Sequence, residues 1–171
     1  MIQDWSQPWD LQPVVGFDAE AVASGPRNAF AGPVRVELLT TPGRDLLVRV
    51  TESFTFFDRD GRAWPVPSGT VADGASIPKW IQWLGGHPLE GDYRRASVVH
   101  DPYCGLVSNI AKLLPAAEFE AAKTAIAEVA RSRSAEETHR VFYDAMTADN
   151  LQPRWKRAAY YRAVCWGGPK W

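Results

Sequence analysis

Asp73-Gly74-Ala75-Ser76-Ile77-Pro78 is the stretch on which the fold turns, because the periodicity of the chain changes across it. Upstream, the pattern has the period of two that strands require. Val34, Val36 and Leu38 alternate with Arg35, Glu37 and Leu39, Pro42-Gly43 punctuates, and Leu46 to Phe57 is rich in β-branched and aromatic residues. Asp58-Arg59-Asp60-Gly61 then supplies a hairpin connection, since Asp-Gly accepts the positive φ that tight turns demand. The return strand, Arg62 to Val66, carries Pro65, which has no amide hydrogen for a ladder and so belongs at a sheet edge or strand end.

Downstream, the spacing is helical. Ser76 caps a helix that Pro78 opens, with Trp80, Trp83 and Leu84 on one face and Gly85-Gly86 as its stop. A second helix starts near Asp92, sets Tyr93, Ala96, Ser97 and His100 at three- and four-residue spacing, and is ended or kinked by Pro102. A third runs from Ala116 to Arg131, with Phe119, Ala122, Ile126 and Val129 as its apolar stripe. Ser134-Ala135-Glu136-Glu137 is a capping box, in which each polar side chain satisfies an orphan amide. It opens a fourth helix with His139, Phe142, Tyr143 and Met146 inward. A fifth, opened by Pro153 and stopped by Gly167-Gly168, turns Trp155, Ala158, Ala159, Arg162 and Trp166 inward. The class is α+β: a small antiparallel β-meander followed by a helical half of four to five helices.

Composition sets the outer bounds. The chain has 171 residues, 46% hydrophobic and 12% aromatic, with 19 basic against 20 acidic side chains. That is enough for one domain with a real core, assigned to 34–171, and it is the reverse of a disordered composition. Residues 1–33, with four prolines and three glycines, read as an irregular arm with short extended pieces. No basic excess favours nucleic acid, so none is predicted as a partner. No signal peptide and no membrane-spanning run is readable, which places the chain in the cytoplasm of the producing cell. Cys104 and Cys165 lie in no metal-binding spacing and read as two reduced, largely buried thiols, with a disulfide left open for a protein that leaves the cell. Of the eight tryptophans, Trp64, Trp80, Trp83, Trp155 and Trp166 are assigned to the core and Trp5, Trp9 and Trp171 to anchors on the arms.

Few residues can carry chemistry. His100, on the inward face of the second helix, is followed by Asp101, and His139 lies on the apolar face of the fourth. Asp73 stands in the strand-to-helix junction, where scaffolds place functional side chains. Taken singly, each histidine reads more readily as a hydrogen-bonded core residue; two on facing helices suggest a site.

Several of these elements together resemble a family: the phage- and prophage-associated domain of unknown function 1353. The resemblance rests on Asp73 to Pro78, on Trp83 with Gly85, on the Ala96 to Tyr103 stretch (Ala-Ser-Val-Val-His-Asp-Pro-Tyr), and on Arg140-Val141-Phe142 in a Glu-rich helix. It covers about residues 54 to 166. His139 stands where that family usually has aspartate, and residues 104–133 are longer than its usual connection, which suggests an extra helix. The resemblance implies phage context: an accessory protein that is cytoplasmic in the producing cell or incorporated in a particle, with virion proteins as partners of the 1–33 arm.

The family label carries no mechanism. His100-Asp101 followed by Tyr103 resembles the helix of secreted phospholipase A₂, which would make His100 the general base, Asp101 a calcium ligand and His139 the orienter. The disulfide framework and calcium loop of those enzymes have no counterpart here. Alternatively, His100, His139 and either Asp73 or Asp101 form a two-imidazole, one-carboxylate set suited to zinc with an open position for water, with Asp73 the better third ligand because neighbouring helix residues point about 100° apart. In a third reading, the same side chains form a structural polar network in a virion or assembly component. The expectation carried forward is a His/Asp hydrolytic site of Asp73, His100, Asp101 and His139, metal-assisted or not, acting on a cell-envelope substrate, with the structural component as its alternative.

Overall fold

The computed structural model describes residues 2–4, 26–40, 46–73, 93–105, 108–149 and 153–171. Within them the chain forms β1 (Ile2–Asp4), β2 (Ala29–Ala31), β3 (Arg35–Thr40), β4 (Leu46–Val50), β5 (Phe54–Phe57), β6 (Ala63–Val66) and β7 (Val71–Ala72). There follow α1 (Arg94–Cys104), α2 (Ser108–Leu113), α3 (Ala116–Ala125), α4 (Ala135–Asp149) and α5 (Arg154–Gly167). The class is α+β as expected, with strands first and helices after. The expected helix of Ser76 to Leu84, the Pro42-Gly43 turn, Trp5 and Trp9 lie outside the described residues.

All strand pairs are antiparallel, in two sheets ordered β1-β3-β4-β7 and β2-β5-β6. The single strand expected from Leu46 to Phe57 is divided: β4 belongs to the first sheet and β5 to the second. The break at Thr51–Ser53 is fixed by the turn after β6. Gly69, at φ +84°, donates its amide to the Val50 carbonyl at 2.8 Å, and Ser68 Oγ donates to the Thr51 carbonyl at 3.0 Å. Nothing in a run of β-branched residues marks such a crossing. The stretch read as an arm supplies one edge strand to each sheet, β1 and β2.

The β5–β6 hairpin forms where Asp-Gly predicts it, with Gly61 at φ +80°. The buried Asp58 carboxylate closes it, accepting the amides of Asp60 and Arg62 at 2.9 Å each and the indole N–H of Trp64 at 3.0 Å. Pro65 sits in the edge strand β6, consistent with its missing amide hydrogen, and its carbonyl accepts the Tyr103 hydroxyl at 3.0 Å.

β4 has both faces covered. Val48 and Val50 point into the main core with Val36, Phe56, Trp64, Tyr93, Phe142 and Tyr160, whereas Leu47 on the other face packs with Val71, Ile110 and Ala122. Each fully buried aliphatic or Phe side chain contributes about 1.5–3 kcal/mol by leaving water. The third helix ends at Ala125, six residues short of the expected limit, while Ile126 and Val129 continue the buried stripe in turns. α2 lies within residues 104–133, ahead of α3.

α1 is buried nearly all round, nine of its eleven residues, as a helix between sheet and helices must be. It packs along α4 and against β6 and β7. Pro102 does not end it at once: the helix continues to Cys104 and closes at Gly105, φ +78°. Ser134 and Glu137 form the predicted capping box, with Ser134 N to Glu137 Oε2 at 3.1 Å and Glu137 N to Ser134 Oγ at 3.2 Å.

α5 reverses the expected orientation. Its buried residues are Arg157, Tyr160, Ala163 and Val164, while Trp155 and Trp166 are 63% and 80% exposed. Tyr160 packs against Tyr93 in the core with ring centroids 5.0 Å apart and planes tilted by 56°, which selects that face over the tryptophan stripe.

Candidate functional site

The α1–α4 packing brings His100 and His139 together, both buried. His100 Nε2 lies 3.1 Å from His139 Nδ1, and His100 Nδ1 lies 3.1 Å from Asp101 Oδ1. Neighbouring residues on a helix point about 100° apart, which argued against His100 and Asp101 acting on one point. The two side chains nonetheless meet, and Asp101 holds the near edge of the ring. Asp73 directly follows β7, which packs against α1, and is half-buried.

Cys104 completes the cluster. One helical turn beyond His100, its Sγ lies 3.3 Å from Nε2 and 3.6 Å from Nδ1. Read from sequence as an inert buried thiol, it is a direct neighbour of the imidazole. The signal was present in the spacing, because residues four apart share a helix face. Both cysteines are free in the structure, Cys104 buried and Cys165 half-buried.

These contacts separate the two imidazoles in acidity. Burial opposes a charge on His100, but Cys104 and the Asp101 carboxylate outweigh it and push its pKa up to about 10. His139 is driven down to about 4, by burial first and then by the positive His100. Near neutral pH the pair therefore holds a shared positive charge on His100, which donates Nδ1–H to Asp101 and Nε2–H to His139 Nδ1. His139 is then the neutral tautomer with its hydrogen on Nε2. In this state His100 has no lone pair with which to activate water directly, contrary to the role expected for it.

His139 Nε2 is the open end of the chain. The Pro169 carbonyl is near enough to favour the charged ring, yet among the described residues Nε2 makes no hydrogen bond of acceptable geometry. The segment after α5 lies over this end. A Cβ on Gly168 would run into the Val164 carbonyl and lie 2.9 Å from His139 Cε1 and 3.2 Å from Nε2, so only glycine fits. Trp171 faces His139 edge-on with centroids 6.3 Å apart, and its indole N–H donates to the Arg133 carbonyl at 2.8 Å. The protein's own body thus grips Trp171. No sequence motif announced this covering segment. Phe142, 5.4 Å from the His100 ring, supplies an apolar wall.

The expected zinc set is not assembled: among the described residues no three of His, Cys, Asp and Glu are arranged to hold a metal ion. The facing nitrogens of His100 and His139 use each other instead. A separate buried ion pair, Arg95 to Asp149 at 3.1 Å, ties α1 to the end of α4 and stacks its guanidinium 4.0 Å over Phe30.

Comparison with known proteins places residues 48–164 within the family described as "Protein of unknown function (DUF1353)". The uncharacterized protein y4jT of Sinorhizobium fredii is 35% identical over 159 residues, 92% of this chain and 40% of that protein. A second, y4iH of the same organism, is 33% identical over 145 residues, 85% of this chain and 49% of that protein. The chain thus spans less than half the length of these curated relatives. No solved structure matches it.

Proposed function

The chain belongs to this DUF1353 family, and from that premise we propose that it carries a hydrolytic site whose working unit is the Asp101–His100–His139 proton relay. The observation that carries this reading is the unsatisfied Nε2 of His139 at the end of an otherwise fully bonded chain. A buried polar atom without a partner costs about 1–3 kcal/mol and calls for an explanation. A substrate's leaving group at that atom would supply one.

The relay acts as an acid first. As a water oxygen bonds to the reacting centre and the scissile bond breaks, His139 gives its Nε2 proton to the departing group while His100 passes its own Nε2 proton to His139 Nδ1. Asp101 keeps its hydrogen bond to His100 Nδ1 and holds the ring, and Cys104 stays beside it. The discharged relay then takes a proton from the attacking water, which returns both histidines to their starting state. Over the cycle one water is consumed and the relay neither gains nor loses a proton. Access requires the 168–171 segment, which follows the end of α5, to lift from His139, a local opening of a short stretch outside the helices.

A second reading has its own support: His100, His139 and Cys104 are each no more than 5% exposed. In that reading the cluster only fixes α1 against α4, and the protein is a non-enzymatic component of a larger assembly. A panel of chromogenic acyl, phosphate and glycosyl esters separates the two. The relay predicts turnover of at least one class, abolished in His139→Gln with the thermal midpoint kept within a few degrees. No turnover across the panel, together with a His100→Leu/His139→Leu variant at least as stable as the parent, would establish the structural reading.

A further inference from the structure

The outer face of α5 is the stripe its sequence offers for packing, turned to solvent. Trp155 and Trp166, 63% and 80% exposed, form with Trp171 at 36% the exposed large hydrophobic side chains among the described residues. Trp155, Arg162 and Trp166 are separated by seven and four residues, so they fall within about 40° of one another around the helix, and the two indoles stand about 16 Å apart along its axis. The opposite face is anchored in the core through Tyr160, Ala163 and Val164. The stripe is therefore a rigidly mounted ridge.

Charge segregates with it. All 20 acidic side chains of the chain precede residue 150, whereas 150–171 carry Arg154, Lys156, Arg157, Arg162 and Lys170. Arg154 and Arg162 are exposed and Lys156 half-buried, flanking or interrupting the line of indoles. A chain close to neutral overall thus presents a cationic, tryptophan-bearing ridge on α5.

We infer that this ridge docks the protein on an anionic lipid surface, with α5 lying in the plane of the interface. Indole is the ring suited to headgroup depth, with an apolar body and an N–H that still finds a partner. Arginines beside it reach lipid phosphates while their stems stay in the apolar boundary. Two indoles about 16 Å apart on one exposed helix face suit a flat partner along which the helix can lie. A nucleic-acid strand would instead call for a groove that tracks its backbone and closely spaced rings for successive bases. No helix among the described residues is long and apolar enough to cross a membrane, so the contact is peripheral.

The test is co-sedimentation of the full chain with vesicles of phosphatidylcholine alone or mixed with phosphatidylglycerol. Binding is expected only to the mixed vesicles and to weaken with salt. Arg162→Gln should lower the partition coefficient about fivefold, the share of one cation near an anionic surface. Trp155→Ala/Trp166→Ala should lower it at least about tenfold. Both indoles are largely exposed, so the variants fold, which circular dichroism melting checks. Equal binding to both vesicle types, none to either, or binding unchanged by these substitutions overturns the inference. So does tighter retention on single-stranded DNA than on mixed vesicles, or Trp166-dependent self-association without vesicle binding.

Discussion

Raising the pH above neutrality should destabilise this protein through the two coupled histidines. His100 lies above its ordinary value of 6.5, at about 10, so its contribution to stability is fully present below 6.5 and is lost as pH rises toward 10. His139 lies below that value, at about 4, so its contribution is present above 6.5 and is lost as pH falls toward 4. The folded pair holds one proton across a window in which the unfolded pair goes from two to none, and its contribution peaks near pH 6.5. Each proton of difference changes stability by about 1.4 kcal/mol per pH unit, so between about pH 7 and 8.5 the loss comes to about 2 kcal/mol. The assay is urea denaturation across that range, comparing the parent with His100→Gln/His139→Gln and reading the difference between the two stability curves. Titrating groups that touch neither imidazole cancel in that difference, and carrying Cys104→Ser in both proteins removes the thiol that touches His100. A difference independent of pH, or one that grows in the parent's favour as pH rises, refutes a proton held between the imidazoles.

Three further outcomes follow from the packing. Asp58→Ala removes the acceptor of two hairpin amides and of the Trp64 indole, and should cost about 2–4 kcal/mol in chemical denaturation; a loss below 1 kcal/mol would mean water replaces the carboxylate. Gly168→Ala drives a Cβ into the Val164 carbonyl and the His139 ring. It should lift residues 168–171 and speed hydrogen exchange of the amide at position 168, which in the parent donates to the Val164 carbonyl at 2.7 Å; unchanged exchange would show that the segment accommodates a methyl group. Ser134→Ala breaks the capping box at the start of α4 and should lower stability by about 1 kcal/mol, with no loss in denaturation arguing that the helix start is held by packing alone.

The elements written in local chemistry were legible. Asp-Gly at 60–61 made a turn, Ser134 with Glu137 made a helix start, and Pro65 marked an edge strand. The same holds for His100, Ser97 and Ala96 as one buried stretch of α1. What misled was a stripe with two possible owners. In α5 the Trp155–Trp166 line and the Tyr160–Val164 line are both apolar, and periodicity cannot say which one meets a core. Cys104 was missed because it was weighed against Cys165, 61 residues away, and not against His100, one turn away.

By itself, then, the sequence determined the α+β class, the hairpin, the helix starts and the family, since each rests on contacts between residues a few positions apart. The division of Leu46–Phe57 between two sheets, the face that α5 buries, and the meeting of His100 with His139 39 positions on were decided only by tertiary packing. The acidity of the two imidazoles belongs to the same class. It depends on burial and on which side chains are brought into contact, and those are properties of the assembled core.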